Sequence, residues 1–247
     1  MRAANDDVLP NLRDLGDFTV SDRGHTRPHI LYRSALPFAD DSHPTAVGVW
    51  PVRTVIDLRS PRERARSEHP LRSETTSVYE ITLMSDVDAN ESDPARTLAD
   101  LYQSVLNTAG KQLAHILHLV GTAPTPILLH CAAGKDRTGI AAAMLLRLAG
   151  VDPDVIVHDY SATSEHMPAV LSRIIRHAPE LGQLKPHHRD LLGVDPESMR
   201  EVLAAWDAHP GGLRGWITDH GATNAEITRW IDRFVTHVPD ENRVNQS

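Results

Sequence analysis

A single cysteine, Cys131, stands in this chain of 247 residues, so no intramolecular disulfide and no cysteine cage for zinc can form. A lone thiol fits a reducing compartment. Aromatic residues are scarce at 4%, which leaves aliphatic side chains to fill the core. Lysine is nearly missing: Lys111, Lys135 and Lys185 stand against 22 arginines. No run approaches the ~18 apolar residues that a membrane span needs, and the first 15 residues hold no apolar stretch of signal-peptide length. The expected location is the cytoplasm, with export lacking a cleaved signal peptide left open. Positive charge is also short, at 25 basic against 33 acidic residues, a formal net charge of −8. That balance argues against nucleic acid as the main partner. It also repels anions at long range, so a phosphate site must be built locally from backbone N–H groups and one or two placed cations.

What is present fits a soluble globular protein. Hydrophobic residues make up 40% and charged residues 23%, and the length is ordinary for one α/β domain. Strands are expected at 29–34 (HILYRS), 54–58 (TVIDL), 77–83 (SVYEITL) and 126–130 (PILLH). Ser60 is expected to cap a short charged helix with Pro61 at its first position. Helices are expected near 95–107 and 110–120, the second with Leu113, Ile116, Leu117 and Val120 at helical spacing. A strong helix should follow residue 139 and stop at Gly150, and another should start at Asp152-Pro153. Further helices are expected at 164–177, 195–208 and 224–236. Residues 1–10 read as a loose arm and 85–94 as an acidic surface loop. Strands alternating with helices over the first 150 residues imply an α/β fold, with a central, mostly parallel sheet flanked by helices and a helical C-terminal half. No linker divides the chain, so one domain is expected over 1–247. Residues 160–200 are expected to form a mobile helical lid beside the active site.

The chemistry is concentrated in residues 130–139, HCAAGKDRTG. A cysteine, five residues and an arginine lie between an apolar strand and a helix. Small residues at Ala132, Ala133 and Gly134 let successive N–H groups turn inward as an anion nest. The N-terminus of the following helix faces the same anion. Arg137 offers a planar fork of donors to two phosphate oxygens. The same N–H groups and dipole favour a thiolate at Cys131, a nucleophile that needs no separate base. Lys135 and Thr138 complete the expected substrate-binding set with 132–134, Thr138 as a hydrogen-bond donor to the sulfur. His130 either orients the loop or packs at the strand end. A Walker loop is excluded because Asp136, not Ser or Thr, follows Lys135. A sulfurtransferase loop matches the extended string poorly.

This string resembles the signature of the protein tyrosine phosphatase superfamily, most closely the bacterial and fungal tyrosine phosphatases with an HCxAGKDRTG loop. Three further stretches are similar to that family: Asn11–Gly16 (NLRDLG), Leu31–Ala35 (LYRSA) and Val55–Ser60 (VIDLRS). Asp17 departs from the pattern, where a second glycine is common. The resemblance implies a metal-independent, cofactor-free enzyme acting on phosphotyrosine proteins. Some members also act on phosphoinositides, a range associated with the Lys135-Asp136 pair. Cys131, Arg137 and Asp136 are therefore the expected catalytic residues, Asp136 as the general acid, with Asp57 and Asp86, Asp88 or Asp93 as rivals for that role. Asp57 and Arg33 are candidate supporting residues: Asp57 approaches the site if its strand runs parallel to 126–130, or else pairs with Arg59 or Arg33. Arg13, Asp14 and Arg33 are candidates for an ionic network under the loop. Fifteen histidines, including His115/His118 and His187-His188, match no recognised metal pattern. Rival readings of function are a lipid or dual-specificity phosphatase and, from another class, a phosphate-binding module without turnover.

Overall fold

The computed structural model describes residues 8–20, 24–65, 67–84, 97–177 and 193–237. Its central sheet follows from four short runs of strand length. In chain order the elements are β1 (Arg13–Asp14), β2 (Thr19–Val20), β3 (Gly24–Thr26), β4 (Leu31–Ser34), β5 (Thr54–Asp57), α1 (Pro61–Arg64), β6 (Ser77–Glu80), α2 (Leu98–Thr108), α3 (Gly110–Thr122), β7 (Ile127–His130), α4 (Asp136–Ala149) and α5 (Pro153–His177). They continue with α6 (Pro196–Asp207), α7 (Gly212–Asp219), α8 (Asn224–Phe234) and β8 (Val235–His237). The sheet order is β1-β4-β7-β5-β6. Strands β4, β7, β5 and β6 run parallel, and β1 adds antiparallel to β4. The central β7, Ile-Leu-Leu-His, is buried along its whole length, as a parallel strand covered on both faces must be.

Alternate strand residues separate two apolar clusters. Leu31, Ile56, Ile127 and Leu129 join the large core with residues of α2 to α8, whereas Tyr32, Val55 and Leu128 join a smaller one with Leu9, Leu12, Val47 and Val52. This is the period of two that a strand imposes. Leu9 is 2% exposed, and the Pro10 carbonyl accepts from Ala35 N–H. The expected loose arm is thus docked at residues 8–10.

Helix ends follow their local chemistry. Ser60 and Glu63 form a capping box on α1. Gly150 ends α4 in the left-handed region, φ 93°, and its N–H and that of Val151 close on Arg147 and Leu146 carbonyls. The two helices expected from Asp152 and from 164 are one 25-residue helix, α5, which runs through Pro168. Its buried face, from Ile156 through Tyr160, Thr163, Met167 and Val170 to Arg173, keeps helical spacing across the proline, and that packing overrides the local break. Helix α7 was not anticipated, and α8 gives way to strand β8 after Phe234. Strands β2, β3 and β8 form a small antiparallel sheet joining the two ends of the described fold. The acidic stretch 85–94 and most of the irregular stretch 178–193 lie outside the described residues. No helix among those described is long and apolar enough to cross a membrane.

Candidate active site

Register brings the site together. Ser34, His130 and Asp57 are lateral neighbours at the carboxyl ends of β4, β7 and β5, the edge where ligands gather in open α/β sheets. Cys131 follows directly, 2% exposed. The loop from 132 to 135 then turns into α4 at Asp136. Among the described residues, the backbone N–H groups of Ala132, Ala133, Gly134 and Arg137 find no protein acceptor. Such a row of unspent donors beside a helix N-terminus is an anion nest.

Gly134 is indispensable to that turn. Its φ is 69°, and a Cβ there would lie 2.2 Å from the Ser34 carbonyl oxygen. The loop is held from beneath. Asn11 Nδ2 donates to the Gly134 carbonyl at 3.0 Å, and Arg33 donates to the same oxygen at 2.9 Å. Arg33 also meets Asp159 at 2.5 Å, and Arg13 meets it at 2.6 Å. Burial works against the Asp159 charge, but Arg33 and Arg13 outweigh it and hold the carboxyl below its usual range. The ionic network expected from Arg13 and Arg33 therefore exists, with Asp159 as its anion. Asp14 stands apart and accepts from Gly16 and His29 N–H groups. Asp17, at the position where a glycine is common, has φ 63°, which accounts for that preference.

Arg137 reaches back across the loop. Glu63 of α1 accepts from Nη1 at 2.5 Å and from Nη2 at 2.9 Å. Burial opposes the guanidinium charge, yet the Glu63 hydrogen bonds and the adjacent Cys131 raise its pKa above the usual value. Two of five donors are spent on Glu63 and the second Nη1 hydrogen reaches the Leu58 carbonyl at 3.5 Å, which leaves Nε and one Nη2 hydrogen as a fork for a ligand. Asp136 accepts from the Tyr102 hydroxyl at 2.8 Å. Lys135 is 2% exposed and donates to the Gly193 carbonyl at 2.7 Å, with its ammonium 3.4 Å from Asp136 Oδ1. Thr138 Oγ1 is buried and has no hydrogen-bond partner among the described residues, so the expected bond to the sulfur is not formed.

His130 both packs and orients. The Leu71 N–H donates to His69 Nδ1 at 3.2 Å, which leaves the His69 proton on Nε2. That proton faces His130 Nε2 at 2.9 Å, and His130 Nδ1 lies 2.9 Å from the Cys131 carbonyl oxygen. Two neutral rings satisfy every contact with one set of tautomers: His69 donates to His130, and His130 donates to Cys131 O. Asp57 pairs with Arg59, accepting from Nη2 at 2.7 Å, and comes only within 4.0 Å of His130. Burial works against the Asp57 charge, but His130 and the Arg59 fork hold its carboxyl well below the usual range. Asp57 thus stands behind the loop. Facing donor atoms of Asp57, His69 and His130 lie within 4.8 Å of one another, but Arg59 and the shared His–His proton already use them. His118 pairs with Glu226 at 2.7 Å, and His187-His188 lie outside the described residues. An open cavity of about 430 Å³ is walled by Asp57, Arg59, Arg64, His69, Arg72 and Glu80 among others, and Cys131 does not line it. Its charges are paired with one another.

The histidine pair has a consequence for stability. Burial lowers His130, and burial with His130 alongside lowers His69 to about 3 from 6.5. The unfolded chain therefore takes up protons that the folded chain refuses. Stability is full above pH ~6.5 and falls as pH drops toward 3, by about 1.4 kcal/mol per pH unit for His69, and His130 acts in the same direction. Thermal unfolding of the wild type and His69→Gln from pH 8 to 4 should show a shallower acid slope in the variant. Identical slopes would mean that His69 is protonated alike in both states.

Comparison with known proteins agrees with this geometry. The family described as "Tyrosine phosphatase family" matches residues 6–236. The chain belongs to the tyrosine phosphatase family. Among relatives, it is 30% identical to the triple specificity protein phosphatase PtpB of Mycobacterium tuberculosis, over 89% of this chain and 94% of that one. It is 29% identical to a tyrosine-protein phosphatase of Nostoc commune, over 76% and 67%. The match to the solved Siw14 catalytic core covers 82% of this chain and 96% of that one at 17% identity, with a TM-score of 0.40.

The sequence singled out every residue of the loop in this phosphatase. It did not single out Glu63, Asn11, Asp159, His69, Tyr102 or Tyr160. A signal existed for two of them: Asn11 lies in the NLRDLG stretch, and Glu63 completes a readable Ser-x-x-Glu capping box. Nothing local to the other four distinguishes them from core residues.

Proposed function

We propose that this phosphatase hydrolyses phosphotyrosine through a phosphocysteine at Cys131. The observation that carries the reading is the loop itself: a buried thiol at the end of the central strand, unspent N–H groups around it, and the Arg137 guanidinium alongside. The dianion lies in the nest, with two oxygens on the Arg137 fork. The Cys131 thiolate attacks phosphorus in line; the S–P bond forms as the P–O ester bond breaks. Asp136 gives its proton to the leaving phenolate oxygen. Water then attacks phosphorus, Asp136 takes a proton from it, and the S–P bond breaks to return the thiolate and release phosphate. A reducing compartment, the cytoplasm, keeps the single thiol available.

Asp136→Asn tests the acid assignment with two substrates of different leaving-group pKa. The loss in kcat/KM, which reports only the steps up to the phosphocysteine, should be about 10²–10⁴ on an alkyl or poor aryl phosphate and small on p-nitrophenyl phosphate, whose phenolate departs unaided. Equal losses on both would show that Asp136 only shapes the loop. The assays run with chelator present, and abolition of turnover by chelator alone would overturn the metal-free mechanism.

A second reading, activity on phosphoinositides, rests on the family resemblance of the Lys135-Asp136 pair, since Lys135 itself is buried on the Gly193 carbonyl, and the triple specificity named for the Mycobacterium tuberculosis relative makes it worth testing. A panel of phosphotyrosine peptide, phosphoserine peptide and phosphoinositide headgroups ranks the substrates by kcat/KM.

A further inference from the structure

Two tyrosines from distant parts of the chain meet at Asp136. Tyr102 of α2 and Tyr160 of α5 are each 1% exposed, and their rings meet edge to face, 6.3 Å apart. Their hydroxyls are 2.7 Å from each other, and the Tyr102 hydroxyl is 2.8 Å from Asp136 Oδ1. Proton counting sets the direction. A carboxylate only accepts, so Tyr102 donates to Asp136 and must accept from Tyr160. Burial, with Asp136 next to each ring, raises both phenols above their ordinary values, so both remain protonated donors. The sequence leaves room for the arrangement: a Cβ at Gly139, the last residue of the loop motif, would meet the Tyr160 ring at 3.0 Å.

We propose that Tyr102 and Tyr160 are positioning residues that aim the Asp136 proton. This rests on Asp136 being the general acid. Tyr160 donates to Tyr102, and Tyr102 donates to Oδ1. Lys135 Nζ lies on the same oxygen at 3.4 Å. Oδ1 is thereby committed to accepting, and Oδ2 is the oxygen that carries the proton to the leaving group and later receives one from water. A carboxyl with both oxygens uncommitted divides its proton between them and rotates, and the productive fraction falls.

Tyr102→Phe and Tyr160→Phe delete one hydroxyl each and keep the ring packing. Each is made in the wild type and in Asp136→Asn, and kcat and KM are measured on a poor and a good leaving group. Tyr102→Phe should lower kcat on the poor leaving group about tenfold with KM little changed. It should leave kcat/KM on p-nitrophenyl phosphate, which ends at the phosphocysteine, within about twofold, and cost less than about twofold in the Asp136→Asn background. Tyr160→Phe should show the same pattern, smaller. An equal loss of kcat/KM on both substrates, or the same loss with and without Asp136, would overturn the positioning role. Asp136→Asn alone reports on the acid assignment, so the two ideas fail separately: a leaving-group effect there, with additive tyrosine losses, leaves Asp136 as the acid and removes the tyrosines.

Discussion

Cys131→Ser is expected to abolish turnover, by on the order of 10⁴–10⁶-fold, while leaving phosphate affinity nearly unchanged. Among the described residues, His130 reaches residue 131 at its carbonyl and spends its Nδ1 proton on it, so it is no base for a serine hydroxyl. The affinity should survive because nothing that grips the dianion is lost. Gly134 keeps its left-handed turn against Ser34, and Asn11 and Arg33 still hold its carbonyl. Calorimetry with inorganic phosphate and a phosphotyrosine peptide measures affinity, and a p-nitrophenyl phosphate assay measures rate. A variant that turns over aryl phosphate at the wild-type rate would remove Cys131 from the mechanism. A variant that loses phosphate binding along with activity would show that the thiol itself holds the loop open.

Arg137→Lys should cost on the order of 10³-fold in kcat/KM, since even one lost transition-state donor typically costs about 10²–10³. Two geometric losses add. A lysine ammonium cannot present two parallel N–H bonds to phosphate oxygens, and it cannot also keep the two-point contact with Glu63. That contact aims the guanidinium, and Glu63 is itself fixed by its capping hydrogen bond from Ser60 N–H at 2.7 Å. Steady-state kinetics on p-nitrophenyl phosphate, where no proton donor is needed, isolate this loss from any effect on Asp136. A near-normal kcat/KM would sink the clamp assignment.

Much of this protein is local and therefore readable. The apolar run Pro126–His130, the small residues 132–134 and the helix that begins at Asp136 follow from residue types within a few positions of one another. So do the capping box at Ser60 and the stop at Gly150. The parallel register of Thr54–Asp57 and Ile127–His130 follows from two short buried strands with helical segments between them. By contrast, the local pattern misread residues 152–177, because Pro168 punctuates a sequence that a long buried face carries through as one helix. It also missed β8, whose three residues are a strand only because β3 lies beside them.

What the sequence by itself determined is the loop from Cys131 to Arg137, whose residues are adjacent in the chain and whose thiol, small residues and guanidinium suit a phosphate. What only the tertiary structure decided is the set of partners. Glu63 lies 74 residues from Arg137, Tyr102 lies 34 from Asp136, His69 lies 61 from His130 and Asp159 lies 126 from Arg33. Hydrogen bonds and ion pairs act over about 3–4 Å, and no periodicity in sequence encodes which distant residue folding will bring within that reach.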